Sequence, residues 1–257
     1  MKIIQTWTLA TDTPLPTSVA LADDDSLWLA NWSTSLLHLI PGETAVAVNP
    51  TENSADIVAI SRGLNDSFWL IADDGQSRVG LWRPGQTLSQ VAQLTAEPRQ
   101  IAWDSGQQVL WYVGTDLSLH SYSESKGDQQ VDAGKYTGLV VSESGRHIAV
   151  RQSTTDDLLV APTETLAWRR VRTQSAGGLV GFGPDDALFL LQEGLARKGE
   201  VPAGGGRLIA VPAEGKEQKI TTGNIIYAYA QGSKLVLATR EADGSMQVML
   251  QSLAKAG

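Results

Sequence analysis

The side chains of this sequence that are best suited to binding a ligand follow or precede short apolar segments. Arg99, Arg151 and Arg240 each carry a guanidinium group that can donate two parallel hydrogen bonds to a carboxylate or a phosphate. Trp32 and Tyr136 supply flat rings of the kind that carries most binding energy at interfaces. We expect these residues on one loop face, whose candidate members are Asn31, Trp32, Asp73, Asp74, Arg99, Thr115, Tyr136, Arg151, Glu193, Arg197, Lys198, Asn224 and Arg240.

A solvated rim is the alternative interpretation of the same face. The arginines would then pair with neighbouring carboxylates, such as those of Asp73, Asp74 and Glu241, rather than with a ligand. The glycine-rich stretch 193–206 is the clearest irregularity, and its Arg197-Lys198 pair is a local basic spot. Long loops on a rigid scaffold are often functional, although a tolerated surface insertion explains this one equally well.

Residues that could carry out catalysis are much harder to find. The chain has no cysteine, which excludes disulfides, thiolate zinc sites and cysteine nucleophiles. No Gly-x-Ser-x-Gly motif occurs, and the three histidines are not spaced as zinc ligands. The aspartate runs 23–25, 156–157 and 185–186 lack the spacing of a calcium loop and are typical of solvated hairpins. We therefore predict no catalytic residue, no bound metal and no cofactor.

The composition is that of a globular protein with an acidic surface. Hydrophobic residues make up 42% and charged residues 19% of the 257 positions, which excludes wholesale disorder. The net charge of −8 repels phosphate backbones, so we expect no nucleic-acid partner. No apolar run approaches the length of a membrane span, and the N-terminus lacks the apolar core of a signal peptide. The expectation is a soluble, cytoplasmic protein with no membrane partner.

Short apolar segments that recur about every 40 residues determine the expected architecture. They do not alternate apolar with polar residues, so each should be a strand that is buried on both faces. A polar turn precedes each segment, and two further strands follow it. Several strands per repeat of this length are typical of a propeller blade. The six segments are 27–30, 68–72, 109–113, 147–150, 188–191 and 235–239.

The sequence thus predicts an all-β fold, a single six-bladed β-propeller domain with four antiparallel strands per blade. The sixth unit lacks a fourth strand, whereas residues 3–9 form a spare one ahead of the first unit. Pairing the two would close the ring and protect the edge strands. We expect a monomeric ring, with blades at about 16–49, 55–95, 98–133, 136–173, 177–222, and 224–252 together with 3–9.

The first repeat, residues 16–31, resembles those of the NHL, SMP-30/gluconolactonase-like and streptogramin-lyase-like propellers. There a strand, an Asp/Gly turn and an "LWVAN"-like strand recur, as in Ser26-Leu27-Trp28-Leu29-Ala30-Asn31. The match is good over this unit and loose over the other five. SMP-30-like lactonases hold a divalent metal with an early Glu, which is missing here. Streptogramin-lyase-like enzymes use a His-centred arrangement, but His38 and His120 fall in outer strands and His147 starts a buried one.

These features favour a non-enzymatic binding module that presents one loop face to a protein partner, with a basic partner suited to the acidic chain. Bacterial propellers of this compact kind serve as subunits of assemblies or as inhibitors of a basic toxin, and the residues do not choose between these roles. The alternatives are a hydrolase or lyase of the SMP-30 or streptogramin-lyase type with a diverged site, and a sensor of a small ligand.

Overall fold

The structure is a computed structural model, and it describes residues 1–52, 54–90, 94–173, 177–193, 206–212 and 217–253, with the side chains at 90 and 193 excepted. The described residues form 24 strands and one short 3-10 helix, Pro184–Asp186. The chain divides into two compact units. Unit A comprises residues 16–139 and 150–155, and unit B comprises 1–15, 140–149 and 156–257.

Unit A contains three four-stranded antiparallel sheets, each formed by consecutive strands. In each sheet the second strand is buried on both faces, as the apolar segments predicted. The strands are β2 Ser18–Leu21, β3 Leu27–Ala30, β4 Leu36–Leu39 and β5 Val46–Val48; β6 Asp56–Arg62, β7 Phe68–Asp73, β8 Ser77–Trp82 and β9 Ser89–Gln90; and β10 Pro98–Asp104, β11 Val109–Gly114, β12 Leu119–Ser123 and β13 Gly127–Asp132.

A fourth four-stranded sheet follows, and two of its strands have residues in both units. It is made of β14 Tyr136–Val141, β15 His147–Gln152, β16 Leu158–Pro162 and β17 Arg169–Arg170.

Unit B contains one eight-stranded sheet, in which two groups of four strands are joined. The joint is a parallel pairing of only two residue pairs, Gly181 with Ala230 and Phe182 with Gln231. The first group is β18 Gly178–Phe182, β19 Leu188–Glu193, β20 Gly206–Val211 and β21 Gln218–Gly223. The second is β22 Ile225–Gln231, β23 Lys234–Arg240, β24 Met246–Ser252 and the N-terminal β1 Lys2–Leu9.

The pairing of β1 with β24 agrees with the expectation that the N-terminal strand joins the last group. The two strands are antiparallel, and the register runs from Lys2 opposite Ser252 to Leu9 opposite Met246. Trp7 and Leu9 are buried on one side of β1, whereas Ile3 is 56% exposed. The N-terminal strand is therefore anchored by its C-terminal half.

Apolar side chains fill the space between consecutive groups of strands within each unit. In unit A, Trp28 packs edge-on against Trp82 with ring centroids 4.9 Å apart, and Trp69 stacks on Trp103 at 5.5 Å. In unit B, Phe182 packs with residues of β15, β16 and β19, and Leu237 with residues of β18 and β20. The tryptophans thus hold neighbouring sheets together.

A β-bulge recurs near the start of the first strand of several groups. One extra residue breaks the register at Val58 in β6, Arg99 in β10, Val180 in β18 and Ile226 in β22. A bulge bends the strand and redirects the extra side chain. At three of these positions the extra residue is apolar, whereas Arg99 is exposed and charged.

Candidate functional site

Trp32 is the largest side chain that unit A leaves in solvent. It lies in the loop between β3 and β4, and it is 57% exposed. Its backbone has φ = 55°, in the left-handed region that a bulky residue rarely adopts. Such a conformation costs about 1–3 kcal/mol and persists only where the surroundings enforce it.

The surroundings of Trp32 do enforce its conformation. The amide of Trp32 donates a hydrogen bond to the carbonyl of Ile57 at 3.2 Å, and the amide of Ile57 donates to the carbonyl of Ser33 at 2.7 Å. The Ser33 hydroxyl donates to the side-chain oxygen of Asn31 at 2.7 Å. Asn31 is 7% exposed, so it supports this corner from inside and does not itself face a ligand. The indole is therefore presented by a loop fixed to the start of β6.

Two of the predicted acidic residues lie close to this corner. Asp73 ends β7 opposite Asp56, the residue before Ile57. Its carboxylate is occupied locally, because it accepts hydrogen bonds from the Gly75 amide at 2.8 Å and the Ser77 hydroxyl at 3.0 Å. Asp74 is more exposed and reaches the Arg78 guanidinium at 3.5 Å, a long distance for an ion pair.

A cavity of about 210 Å³ lies between the chain that leads into β6 and the β7–β8 hairpin. Its apolar wall is formed by Ala55, Ala72, Val79, Gly80 and Leu88. Its polar residues are Thr51, Glu52, Asp74, Arg78 and Thr87. The Glu52 carboxylate accepts a hydrogen bond from the Thr87 hydroxyl at 3.2 Å. No sequence pattern indicated this cavity, because one side comes from residues 51–55 and the other from residues 72–88.

The third group of strands places Arg99 and Thr115 near each other and at the same end of the sheet. Arg99 is the bulged residue of β10, and Thr115 follows β11. The Thr115 amide donates to the carbonyl of Glu97 at 2.8 Å. Both side chains are exposed. These two candidates therefore lie at the same end of this sheet.

Tyr136 does not present its ring as the sequence suggested. It is 2% exposed, and its amide donates to the carbonyl of Leu117 at 2.8 Å. Burial, together with a hydrogen bond to the Asp132 carboxylate, raises the pKa of the Tyr136 hydroxyl. The ring fills the space beside Gly134 instead of standing in a loop. Arg151, at the end of β15, is half-buried.

The candidates in unit B are partly engaged with one another. The Asn224 side-chain amide donates to the carbonyl of Arg240 at 2.5 Å, and the Arg240 amide donates to the carbonyl of Asn224 at 3.4 Å. The Arg240 guanidinium donates to the carbonyl of Gly244 at 3.3 Å, within its own hairpin. Glu193 ends β19, and its side chain lies outside the description. Arg197 and Lys198 also fall outside the described residues.

Two of the three histidines serve the core of unit A. His38 stacks on Trp28 with ring centroids 3.6 Å apart. Burial lowers the pKa of His38, and the negative charges of Asp24 and Glu43 offset this effect only in part. His120 is 2% exposed and stacks on Tyr112 at 4.7 Å. Its Nε2 lies 3.0 Å from the carboxylate of Asp116, which belongs to the loop after β11.

The third histidine belongs to a cluster that the sequence did not reveal. His147 Nδ1, Arg146 Nη2 and the Ser144 hydroxyl all meet the Asp186 carboxylate, at 3.0, 2.9 and 3.1 Å. Asp186 was expected in a solvated hairpin, but its side chain is only 11% exposed. The serine donates to the aspartate and not to the imidazole, so this contact does not activate the hydroxyl as a nucleophile. The cluster joins the β14–β15 and β18–β19 turns.

Within the described ranges, no three histidine, aspartate or glutamate side chains are grouped so that they could hold a metal ion. Among the same residues, no helix is long and apolar enough to cross a membrane.

No protein-family model matches this sequence. A search of curated proteins likewise found no relative.

Solved structures match the chain closely in fold. A chain of a nidogen/laminin complex has a TM-score of 0.65 at 14% identity, and 89% of each chain is covered. A gluconolactonase from Xanthomonas campestris has a TM-score of 0.65 at 10% identity, covering 97% of this chain and 88% of its own. A catalytically inactive virginiamycin B lyase from Staphylococcus aureus with quinupristin has a TM-score of 0.58 at 10% identity, covering 98% and 86%.

WD40 β-propeller domains are also among the solved structures that match. The fold is therefore that of an all-β propeller, and the resemblance noted in the first repeat is confirmed at the level of the fold. At identities this low the likeness shows the fold alone.

Proposed function

We propose that this chain is a six-bladed β-propeller that binds a protein partner through the loop surface around Trp32. The observation that carries the proposal is the exposed indole held in a strained backbone conformation. An exposed tryptophan loses little conformational freedom on binding and contributes a large apolar area. Because the loop is already fixed to β6, a partner would not have to order it.

The six-bladed arrangement is supported by how the strands group. Five of the six repeats each supply one four-stranded antiparallel group, and the sixth supplies three strands that β1 completes to four. The eight-stranded sheet consists of two such groups that share two parallel residue pairs. We interpret it as two adjacent blades. In this arrangement the whole chain is one domain, and β1 closes a ring that is formed by a single chain.

Comparison with solved structures supports a binding role only in general terms. One matching chain belongs to a nidogen/laminin complex, an assembly of two proteins. Other matching chains belong to enzymes. A lyase or lactonase therefore stays the alternative to a binding role.

A peptide library displayed on phage tests this function. It is panned against the immobilised protein, and each enriched peptide is synthesised and titrated by calorimetry against wild type, Trp32→Ala and Val46→Ala. Val46 is 46% exposed in β5 and serves as the matched control.

We expect peptides that bind wild type and Val46→Ala equally and bind Trp32→Ala at least about 30-fold more weakly, the effect of a hot-spot residue. If no enriched peptide depends on Trp32, the proposed function is wrong.

A further inference from the structure

We infer that the cavity between the chain leading into β6 and the β7–β8 hairpin accepts the side chain of a lysine or arginine of the partner, which therefore presents a cationic segment to this surface. The inference rests on the proposed function and names the chemistry of the partner. It is argued from the size of the cavity, the two kinds of wall that it has, and the backbone contacts that connect it to the Trp32 loop.

The size of the cavity limits what can enter it. Its volume of about 210 Å³ is below the roughly 300–1,000 Å³ that holds a drug-sized ligand or cofactor. A single long side chain fits this space better than a whole small molecule does. Because the cavity opens at the surface, a side chain can enter while its backbone stays outside.

The walls match an amphipathic side chain. Ala55, Ala72, Val79 and Leu88 provide an apolar surface that suits the methylene groups of a lysine or arginine. Leu88 can lie directly over β8 because residue 80 is a glycine: a Cβ built there would come within 2.7 Å of the Leu88 side chain. The glycine thus makes room for the wall of the cavity.

The charge of the cavity selects the sign of the occupant. Two carboxylates, Glu52 and Asp74, oppose one guanidinium, that of Arg78. Asp56 and Asp73 add negative charge next to the cavity, and the chain carries a net charge of −8. The Asp74–Arg78 pair is long at 3.5 Å, and Asp74 keeps 37% of its side chain exposed, so this carboxylate can still receive a second cation.

The position of the cavity connects it to Trp32. Ala55 in the cavity wall is two residues from Ile57, which exchanges backbone hydrogen bonds with the Trp32 loop. Ala72 in the same wall is the strand partner of Ile57. One extended partner segment can therefore place an apolar residue on the indole and a cationic residue in the cavity.

A double-mutant cycle on the peptides from the panning experiment tests this inference. For the tightest peptide that requires Trp32, each lysine or arginine is replaced in turn by norleucine, which keeps the aliphatic chain and removes the charge. The original peptide and each norleucine-substituted peptide are titrated against wild type, Glu52→Gln, Asp74→Asn, Arg78→Gln and, as a control, Asp66→Asn. Asp66 is exposed in the turn before β7, at the opposite end of the strand.

We expect one cationic residue whose replacement weakens binding to wild type at least tenfold. Its effect should shrink in Glu52→Gln and Asp74→Asn, grow in Arg78→Gln and stay unchanged in Asp66→Asn, because only the first three alter the charge of the cavity. Melting temperatures of the variants should stay near that of wild type, because Glu52 and Asp74 are exposed.

Two other outcomes overturn the inference, and they are distinguishable. Peptides that require Trp32 but tolerate norleucine at every position, or that ignore the three cavity variants, would refute the cationic occupant and leave the proposed function intact. A library that yields no Trp32-dependent peptide would refute the proposed function and the inference together.

Discussion

Gly181 lies directly against the carbonyl oxygen of Ala230: a Cβ built on the glycine would come within 1.9 Å of that oxygen. The contact occurs at the parallel pairing of β18 with β22, where the two groups of unit B meet. Residue 181 also has φ = 144°, a conformation that a side chain rarely adopts. This position therefore requires glycine for two independent reasons.

Gly181→Ala should destabilise the protein by at least about 2 kcal/mol, because the added methyl group must displace backbone and the residue is also strained. Urea unfolding measures the change. Gly42→Ala is the matched control: it has φ = 80° but open space around its Cα, so it should cost only about 1 kcal/mol of backbone strain. Equal costs for the two variants would mean that the close approach to Ala230 is not maintained in solution.

Trp32→Gly should raise the free energy of unfolding by about 1 kcal/mol while it abolishes partner binding. Glycine adopts φ = 55° without strain, and the exposed indole contributes little to the core. Chemical denaturation checks stability, and titration with the selected peptide checks binding. A variant that is less stable than wild type would show that the indole packs on the protein and is not reserved for a partner.

Trp7→Ala should destabilise the protein by about 3–5 kcal/mol, since it removes a large buried side chain from β1. Ile3→Ala lies on the same strand and is the control, because Ile3 is 56% exposed and its truncation should change stability by less than about 1 kcal/mol. Thermal unfolding followed by circular dichroism measures both. A small effect of Trp7→Ala would indicate that β1 is not an integral part of the last group.

Asp104→Asn should make the protein at least as stable as wild type near neutral pH. Asp104 is fully buried, and burial raises the pKa of its carboxyl above the usual value despite the hydrogen bond from the Gln107 amide. A raised folded-state pKa means that ionisation opposes folding, so wild type loses stability as pH rises through that pKa. The asparagine oxygen can still accept the Gln107 hydrogen bond.

The difference in melting temperature between Asp104→Asn and wild type should therefore shrink as the pH is lowered from about 7.5 to about 4. Melts at several pH values measure it. If the melting temperature of Asp104→Asn minus that of wild type increased on acidification, the ionised carboxylate would be stabilising in the folded state.

Sequence patterns identified most of the strands because burial leaves a local signature. The segments around Trp28, Trp69 and Trp111 do not alternate, and all three became strands buried on both faces. The spare strand at 3–9 could be matched to the last group by counting strands alone. Such features depend on neighbours in sequence or on the repeat length, both of which the sequence contains.

The surroundings of the individual site residues could not be predicted, because they depend on packing between repeats and not on neighbours in the sequence. Tyr136 resembled a loop aromatic, but its amide donates a hydrogen bond to the Leu117 carbonyl of the third group, and its ring is buried. Asp186 resembled a solvated turn residue, but it meets Ser144 and His147 from the preceding repeat. Aligning each turn with its counterpart one repeat earlier would have been the only signal for that cluster.

The pairing of β1 with β24 also has a consequence for synthesis on the ribosome. The residues of β1 are translated before those of every other described strand, whereas their hydrogen-bonding partners in β24 are translated after all of them. Until then β1 has an unsatisfied edge with an exposed Ile3 and Ile4, a combination that invites pairing with other nascent chains. Because the pairing of β1 with β24 has a very large sequence separation, we expect it to be a slow step of folding. Lys2, at the start of this strand, supplies a charge that discourages premature association.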